Sequence, residues 1–286
     1  MTQPIVSIMD IKQAKQEGRK LVMVTAYDYP FGLMADEAGV DMVLVGDSLG
    51  MVVLGLDSTV PVTVEMMIHH IQAVVRGCKH PLVVGDMPFM SYNTGIRDAI
   101  INSGRLMKEG GCDAIKLEGG VDFAPVVEAI VKAGIPVQGH IGLTPQTASA
   151  LGGFKMQGKD AAAARRIVED AKALEAAGAF SIVAEAVPAP LGKLIAESVN
   201  VPVIGIGAGV DVDGQVLVTH DMVGLFDKFI PKFVKQYTQI RPTIIDAIKA
   251  YGDDVRGTSF PTDKHSFGMS DETLAELKKS LDKKDS

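Results

Sequence analysis

Four apolar runs in this 286-residue chain end on an acid followed by a loop: LVGDS at Asp47, VVGDMP at Asp86, IKLEGG at Glu118 and IVAEAV at Glu185. A carboxylate at the end of a buried strand must be solvated, paired or bound to a cation, since an uncompensated charge there costs several kcal/mol or more. If the strands are parallel, their carboxyl ends share one face of the fold, and acids distant in sequence converge on one site. A hard divalent cation that prefers oxygen ligands fits such a site. The competing reading makes each acid only the N-cap of the helix that follows. One shared site accounts for all four more simply.

In Lys116-Leu117-Glu118 the two polar residues are one apart, so on a strand both face one side while Ile115 and Leu117 face the other. A lysine at a barrel mouth is either a Schiff-base nucleophile or a cation that holds a substrate carboxylate. The neighbouring acids favour the second. Asp47 and Asp86, each preceded by Gly, are candidate ligands of Mg²⁺, with Glu118 completing or supporting the shell. No compact His or Cys cluster points to zinc or iron. Glu185 leaves a more apolar strand, where desolvation would favour proton abstraction, and is the candidate general base. His140, in GHIGLTPQ, reaches the same rim and can hydrogen-bond an oxyanion or substrate carbonyl. His69, His70, His80, His220 and His265 show no comparable convergence and read as solvated or satisfied in the core.

The elements that must position these groups alternate. Strands are expected at LVMVTAYD from Leu21, VDMVLVGD from Val40, PLVVGDMP from Pro81, CDAIKLEG from Cys112, IPVQGHIG from Ile135, AFSIVAEA from Ala179, VPVIGIGAG from Val201 and GQVLVTHD from Gly214. Helical periods lie between them, as from Val62, Gly95 and Lys159, and several units close on Gly before the next strand. This is the rhythm of a single α/β domain, a (β/α)8 TIM-type barrel over residues 1–251, with a C-terminal extension over 252–286. A closing helix is expected over Pro231–Tyr251. A terminal helix is expected from Ser270, its cap, with Leu274, Leu277 and Leu281 as a narrow apolar stripe that wants a partner surface. The Gly205–Gly209 run lacks GxGxxG spacing, which excludes a dinucleotide fold. The Gly152–Lys159 segment reads as a mobile, locally basic loop suited to covering a site.

Hydrophobic residues make up 47% of the chain and charged ones 22%, a globular composition whose core must be aliphatic because Trp is absent. With 28 basic and 35 acidic residues the net charge is −7, which disfavours nucleic acid. Cys78 and Cys112 form no CxxC pair and read as reduced thiols. The N-terminal residues lack the organisation of a secretory signal, and every apolar stretch is interrupted before it could span a bilayer. A cytoplasmic protein with no membrane partner is expected.

The strings TAYDYPFG, VGDSLGMVVLG, DSTVPVTVEMM, GDMPFMSY, IKLEGG, GHIGLTPQ, GGFKMQGK, PVIGIGAG, HDMVG and IPKF closely resemble the ketopantoate hydroxymethyltransferase family, in order from about Ile8 to His265-Ser266-Phe267. The resemblance implies a Mg²⁺-dependent barrel that transfers a one-carbon unit from 5,10-methylenetetrahydrofolate to the small 2-oxo acid 3-methyl-2-oxobutanoate. It gives 2-dehydropantoate in pantothenate biosynthesis. The resemblance also implies a large homo-oligomer, commonly a decamer. By motif position Asp47 and Asp86 resemble the family's metal ligands, Glu118 a further acid of that site, Ser48 and Lys116 substrate contacts, and Glu185 the proton acceptor. Where some relatives carry a Cys directly after the base this chain has Ala186, and the helix from Ser270 extends past the shared HSF motif. The alternatives are a related Mg²⁺-dependent carbon–carbon lyase or phosphonomutase, a Schiff-base aldolase using Lys116, and a non-catalytic oligomeric scaffold.

Overall fold

The computed structural model describes residues 4–148, 153 and 155–282. Eight strands close into a parallel barrel in chain order: β1 (Leu21–Thr25), β2 (Met42–Val45), β3 (Leu82–Asp86), β4 (Ala114–Glu118), β5 (Val137–Gly142), β6 (Ser181–Glu185), β7 (Val203–Ile206) and β8 (Gly214–Leu217). This is the expected TIM-type (β/α)8 fold. Every residue of β2, β3 and β4 is buried, because barrel strands are covered on both faces, which explains their continuous apolar runs.

The helices of the first unit are α1 (Ile8–Gln16), α2 (Tyr29–Glu37), α3 (Leu49–Val52), α4 (Val64–Gly77), α5 (Ile96–Arg105), α6 (Ala124–Lys132), α7 (Ala161–Ala176), α8 (Ala189–Ser198) and α9 (Thr219–Met222). Side-chain caps start α2, α4 and α7: Asp28, Thr63 and Asp160 each accept a first-turn N–H, from Phe31, Met66 and Ala163. The helix expected from Gly95 ends differently. After α5 the chain widens into a π turn over Leu106–Gly110, which buries Leu106 and seats Gly110 against Ile71.

The core has two layers. Met23, Met42, Leu44, Val84, Ala114, Val183, Ile204 and Val216 fill the barrel interior, where Ile11 and Ala14 of α1 join them. Lys15 holds α1 in place by donating to the carbonyls of Ala196 (2.7 Å) and Val201 (3.0 Å) and pairing with Asp213 (2.9 Å). Ile71 and Val74 of α4, Val127 and Ile130 of α6, Leu174 of α7 and Ile195 of α8 pack outside the strands with Ile115 and Leu117. On β4, therefore, Ala114 faces inward while Ile115 and Leu117 face the helices, the alternation expected of Lys116 and Glu118. Register then sets the site: Asp86 lies beside Lys116, Glu118 beside His140, and Gly142 beside Glu185.

A second compact unit, Gln239–Ser286, follows the first, Met1–Thr238. It holds α10 (Ile240–Arg256), a 3-10 turn at Asp263–His265 and α11 (Asp271–Asp282). The helix expected over Pro231–Tyr251 is thus displaced, starting at Ile240 and ending at Arg256. Pro242 explains the start, because proline lacks an N–H and is tolerated only in a first turn, where no intrahelical bond is needed. Ile244, Ile248, Tyr251 and Val255, spaced three and four apart on α10, are all exposed. Ser270 caps α11 as expected, its Oγ accepting from Thr273 N at 3.2 Å, and Leu274, Leu277 and Leu281 are exposed. The last four residues of the expected terminal helix, 283–286, and Gly152 and Phe154 of the expected covering loop lie outside the described residues.

Both cysteines are free, and burial pushes each thiol up to about 12. Among the described residues no helix is long and apolar enough to cross a membrane.

Candidate active site

The four acids do not cap helices. The caps after β2, β3, β4 and β6 are Ser48, Gly95, Gly120 and Pro188, so the alternative reading of the acids fails. All four line one cavity of about 250 Å³ at the carboxyl ends of the strands, together with Ser48, Lys116 and His140. Every candidate site residue read from the sequence is therefore brought to one place.

Lys116 sits at the centre. Its Nζ lies 2.7 Å from Asp86 Oδ1 and 3.3 Å from His140 Nδ1, and the Lys116 and Asp86 side chains are 4% and 2% exposed. The approach to Asp86 Oδ1 is ionic but poorly aligned, leaving that buried oxygen without a formed hydrogen bond. Asp86 Oδ2 accepts from Asp47 N at 3.1 Å. Burial, reinforced by the Asp86 charge, pushes the Asp47 carboxyl up to about 7 against the pull of Lys116. Burial likewise holds the Glu118 carboxyl well above the carboxylate range. For Lys116 burial opposes the charge, yet Asp86, Glu118 and Asp47 outweigh it and hold the ammonium above the usual lysine range. An ammonium so held is poorly suited to act as an amine nucleophile.

His140 is 2% exposed, and burial with the Lys116 charge holds its imidazole below the usual histidine range, so the ring is neutral. An ammonium can only donate, so Nδ1 is the acceptor and the proton resides on Nε2. That Nε2 faces Glu185 Oε2 at 3.2 Å, short of full alignment, so its N–H can also serve a ligand. Glu185 is less enclosed than its apolar strand implies, with 14% of its side chain exposed. The next residue, Ala186, has φ of +49°, a left-handed turn that costs a non-glycine residue about 1 kcal/mol and swings the chain away just after the carboxylate. Gly142 opposite must lack a side chain, since a Cβ there would collide with the Glu185 carbonyl.

Three further side chains complete the network. Gln146, 4% exposed in the turn after β5, donates from Nε2 to Asp47 Oδ2 and to Met87 O, each at 2.9 Å, while its backbone N–H donates to Glu118 Oε2 at 3.1 Å. Tyr92 donates from its hydroxyl to Gln146 Oε1 at 2.7 Å. The hydroxyls of Tyr27 and Ser48 lie 2.8 Å apart. Sequence reasoning missed Gln146, Tyr92 and Tyr27 as individuals, although each falls inside a quoted string: GHIGLTPQ, GDMPFMSY and TAYDYPFG.

Among the described residues no group of three His, Cys, Asp or Glu side chains forms a ready metal cage. Asp47 and Asp86 nonetheless fit a hard dication. They are adjacent and buried, Asp86 Oδ1 is met only by the Lys116 ammonium at 2.7 Å, and burial with the Asp86 charge keeps the Asp47 carboxyl up at about 7, which a dication would relieve. Mg²⁺ commonly takes only one or two carboxylates and fills its other positions with water or substrate oxygens. Glu118, with Oε2 already engaged by Gln146 N, suits a supporting role.

The family model for ketopantoate hydroxymethyltransferase matches residues 5–263. A relative from Carboxydothermus hydrogenoformans, named 3-methyl-2-oxobutanoate hydroxymethyltransferase, is 56% identical over 272 residues, covering 95% of this chain and 99% of its own. One of the same name from Oleidesulfovibrio alaskensis is 58% identical over 264 residues, covering 92% and 91%. Among solved structures, phosphonopyruvate hydrolase in complex with oxalate and Mg²⁺ aligns with a TM-score of 0.59 at 12% identity, over 98% of this chain and 97% of that one. A 2,3-dimethylmalate lyase of the PEP mutase/isocitrate lyase superfamily aligns at 0.57 and 13%, over 99% and 100%. At such identities the likeness is one of fold.

Proposed function

The chain belongs to the ketopantoate hydroxymethyltransferase family, and on that premise we propose that it moves a one-carbon unit from 5,10-methylenetetrahydrofolate to 3-methyl-2-oxobutanoate, with Mg²⁺, giving 2-dehydropantoate in pantothenate biosynthesis. The observation that supports this reading is the row of close contacts from Asp86 through Lys116 and neutral His140 to Glu185, an ammonium and a carboxylate on one cavity wall.

Asp47 and Asp86 would hold Mg²⁺, with Glu118 supporting, and the ion would supply Lewis-acid stabilisation to the ketone oxygen of the substrate. Lys116 meets the substrate carboxylate with its charge, and Ser48 Oγ donates a hydrogen bond to it. Val183, Ile206 and Val216 line the same cavity and exclude water around the branched carbon of the substrate. Glu185 removes the proton from C3, and the C–H electron pair moves onto the C2–O unit as an enolate. His140, with its proton on Nε2, keeps the Glu185 carboxylate directed at C3 without competing for the proton. Water adds to the methylene carbon as it leaves the two donor nitrogens, passing its two protons to them and forming the C–O bond, and the enolate attacks the carbonyl carbon so released to form the C3–CH₂ bond. The C3 proton, held by Glu185, ends on the new hydroxyl oxygen.

The test is formation of 2-dehydropantoate from the two substrates with Mg²⁺ and with excess chelator. Product that disappears with chelator is expected. Absence of product from folded, metal-loaded protein would favour the lyase or phosphonomutase alternative. We further propose a cytoplasmic homo-oligomer, commonly a decamer in this family, supported by the exposed apolar stripes of α10 and α11; light scattering of the purified protein tests it.

A further inference from the structure

Two carboxylates that line the cavity, Asp57 and Asp221, are unused by this chemistry, and of these Asp57 is exposed and Asp221 buried. Asp221, in α9 after β8, lines the cavity at 7% exposure, and its Oδ1 is buried without a partner. Its backbone is fixed from two sides. Thr219 donates from N to Thr25 Oγ1 at 3.0 Å and from Oγ1 to Thr25 O at 2.5 Å, and Gln236 Nε2 donates to Asp221 O at 3.3 Å. The adjacent His220 offers no cation: its ring packs against Tyr27 and Phe31 at 5.2 and 5.0 Å, and burial holds it below the usual histidine range. Burial alone pushes the Asp221 carboxyl up to about 6. An acid kept dry with an orphaned oxygen costs stability, and a ligand that brings N–H donors removes that cost.

Away from the strand-end acids the cavity lining is of a different kind. Met51 of α3, Leu56 beyond it, and Phe226, Phe229 and Phe233 after α9 line the same cavity with aromatic and flexible apolar surface, alongside Lys228. Gly207, at φ +67°, leaves room for the Phe233 ring, which a Cβ would strike. Aromatic and apolar side chains sharing a cavity with a buried carboxylate whose Oδ1 has no partner suit a planar heterocycle with a forked N–H edge.

Resting on the donor reading above, we propose that this wall seats the reduced pterin ring of the one-carbon donor, and that the Asp221 carboxylate accepts hydrogen bonds from the ring's N3–H and 2-amino group. The two walls then divide the labour: strand-end residues hold and activate the oxo acid, and loop residues hold the carbon donor beside it.

The test separates donor binding from chemistry at C3. Asp221→Asn keeps shape but turns N–H groups toward the ring, and should raise KM for 5,10-methylenetetrahydrofolate about 10- to 100-fold, the scale of a lost charge-assisted pair. KM for 3-methyl-2-oxobutanoate should not move. Deuterium exchange at C3 in heavy water, measured with Mg²⁺ and no donor, should proceed at the wild-type rate, which also shows that the variant is folded. An unchanged donor KM, or exchange that falls in parallel, would overturn the assignment. As a second measurement, a donor analogue with methyl in place of the 2-amino group should bind wild type at least about tenfold more weakly than the parent, and D221N without preference. Equal discrimination by both proteins would overturn it. Wild-type protein that exchanges C3 deuterium yet makes no product from the folate would instead remove the donor reading on which the assignment rests.

Discussion

Gln146 carries no charge, yet its side chain spans the site, and replacing it gives the most quantitative test of the network. Gln146→Leu removes the donor to Asp47 Oδ2, the donor to Met87 O and the acceptor of Tyr92 O–H, while the backbone bond to Glu118 survives. Tyr92 retains another acceptor, the Glu118 carbonyl at 3.1 Å, so its hydroxyl is not orphaned. The bond to a charged acceptor is worth about 1.5–3 kcal/mol and each neutral one about 0.5–1.5. Leucine's added apolar burial offsets part of this, so a net loss of about 3 kcal/mol in unfolding free energy is expected, read from urea melts.

Gln146→Glu sharpens the test through its sign with pH. The new carboxyl would lie between Asp47 and Glu118, which raises its folded-state pKa far above the unfolded value. Protonated, it keeps the acceptor for Tyr92 and one of the two amide donations. Ionised, it adds a buried negative charge beside Asp47. Between the unfolded and folded pKa values the native state binds one extra proton, so stability relative to wild type falls by about 1.4 kcal/mol per pH unit as pH rises. The variant should be weaker than wild type by about 1 kcal/mol, one neutral hydrogen bond, at about pH 5 and markedly weaker still at about pH 8. Melts offset from wild type by a constant amount across that range, or a Gln146→Leu cost under about 1 kcal/mol, would refute the view that this amide holds the two acids in place.

Glu185→Gln should lower turnover by about 10²- to 10⁴-fold, the usual weight of a positioned base, and abolish C3 deuterium exchange while leaving Mg²⁺ affinity within a few-fold; an unchanged rate would remove Glu185 from the chemistry. Asp86→Ala should weaken Mg²⁺ and oxo-acid binding together, read by calorimetry, and unaltered metal affinity would show the ligand assignment to be wrong. Borohydride added with the oxo acid should leave no adduct on Lys116 by mass spectrometry, because the ammonium stays protonated among Asp86, Glu118 and Asp47. A trapped adduct would restore the Schiff-base alternative.

The strand-end residues were legible for a physical reason. Burial on both faces makes barrel strands read as apolar runs, and a charge at the end of one stands out; period-two alternation then orients Lys116 and Glu118 together. Gln146 and Tyr92 left no such mark, since loop residues obey no period and neutral polar side chains are common in loops. Asp221 was hidden by a short strand, β8, whose residues alternate between buried and partly exposed rather than forming a continuous apolar run. The start of α10 was misplaced because an apolar period was read straight through Pro242, where backbone chemistry overrides pattern. The π turn at Leu106–Gly110 follows from packing against Ile71, a contact absent from local sequence.

What makes the arrangement a plausible catalyst rather than a mere ion cluster is the neutrality of His140. A charged imidazole 3.2 Å from Glu185 would favour the ionised carboxylate and oppose proton uptake from carbon. Lys116, on the other side of the ring, prevents that charge: two cations cannot share the space, and the one paired with Asp86 at 2.7 Å keeps its proton. The same lysine thereby fixes the imidazole tautomer and leaves Glu185, the proposed base, facing a neutral ring. Replacing Lys116 should consequently disturb both substrate affinity and the pH profile of C3 exchange, a double effect that a simple charge-pairing lysine would not produce.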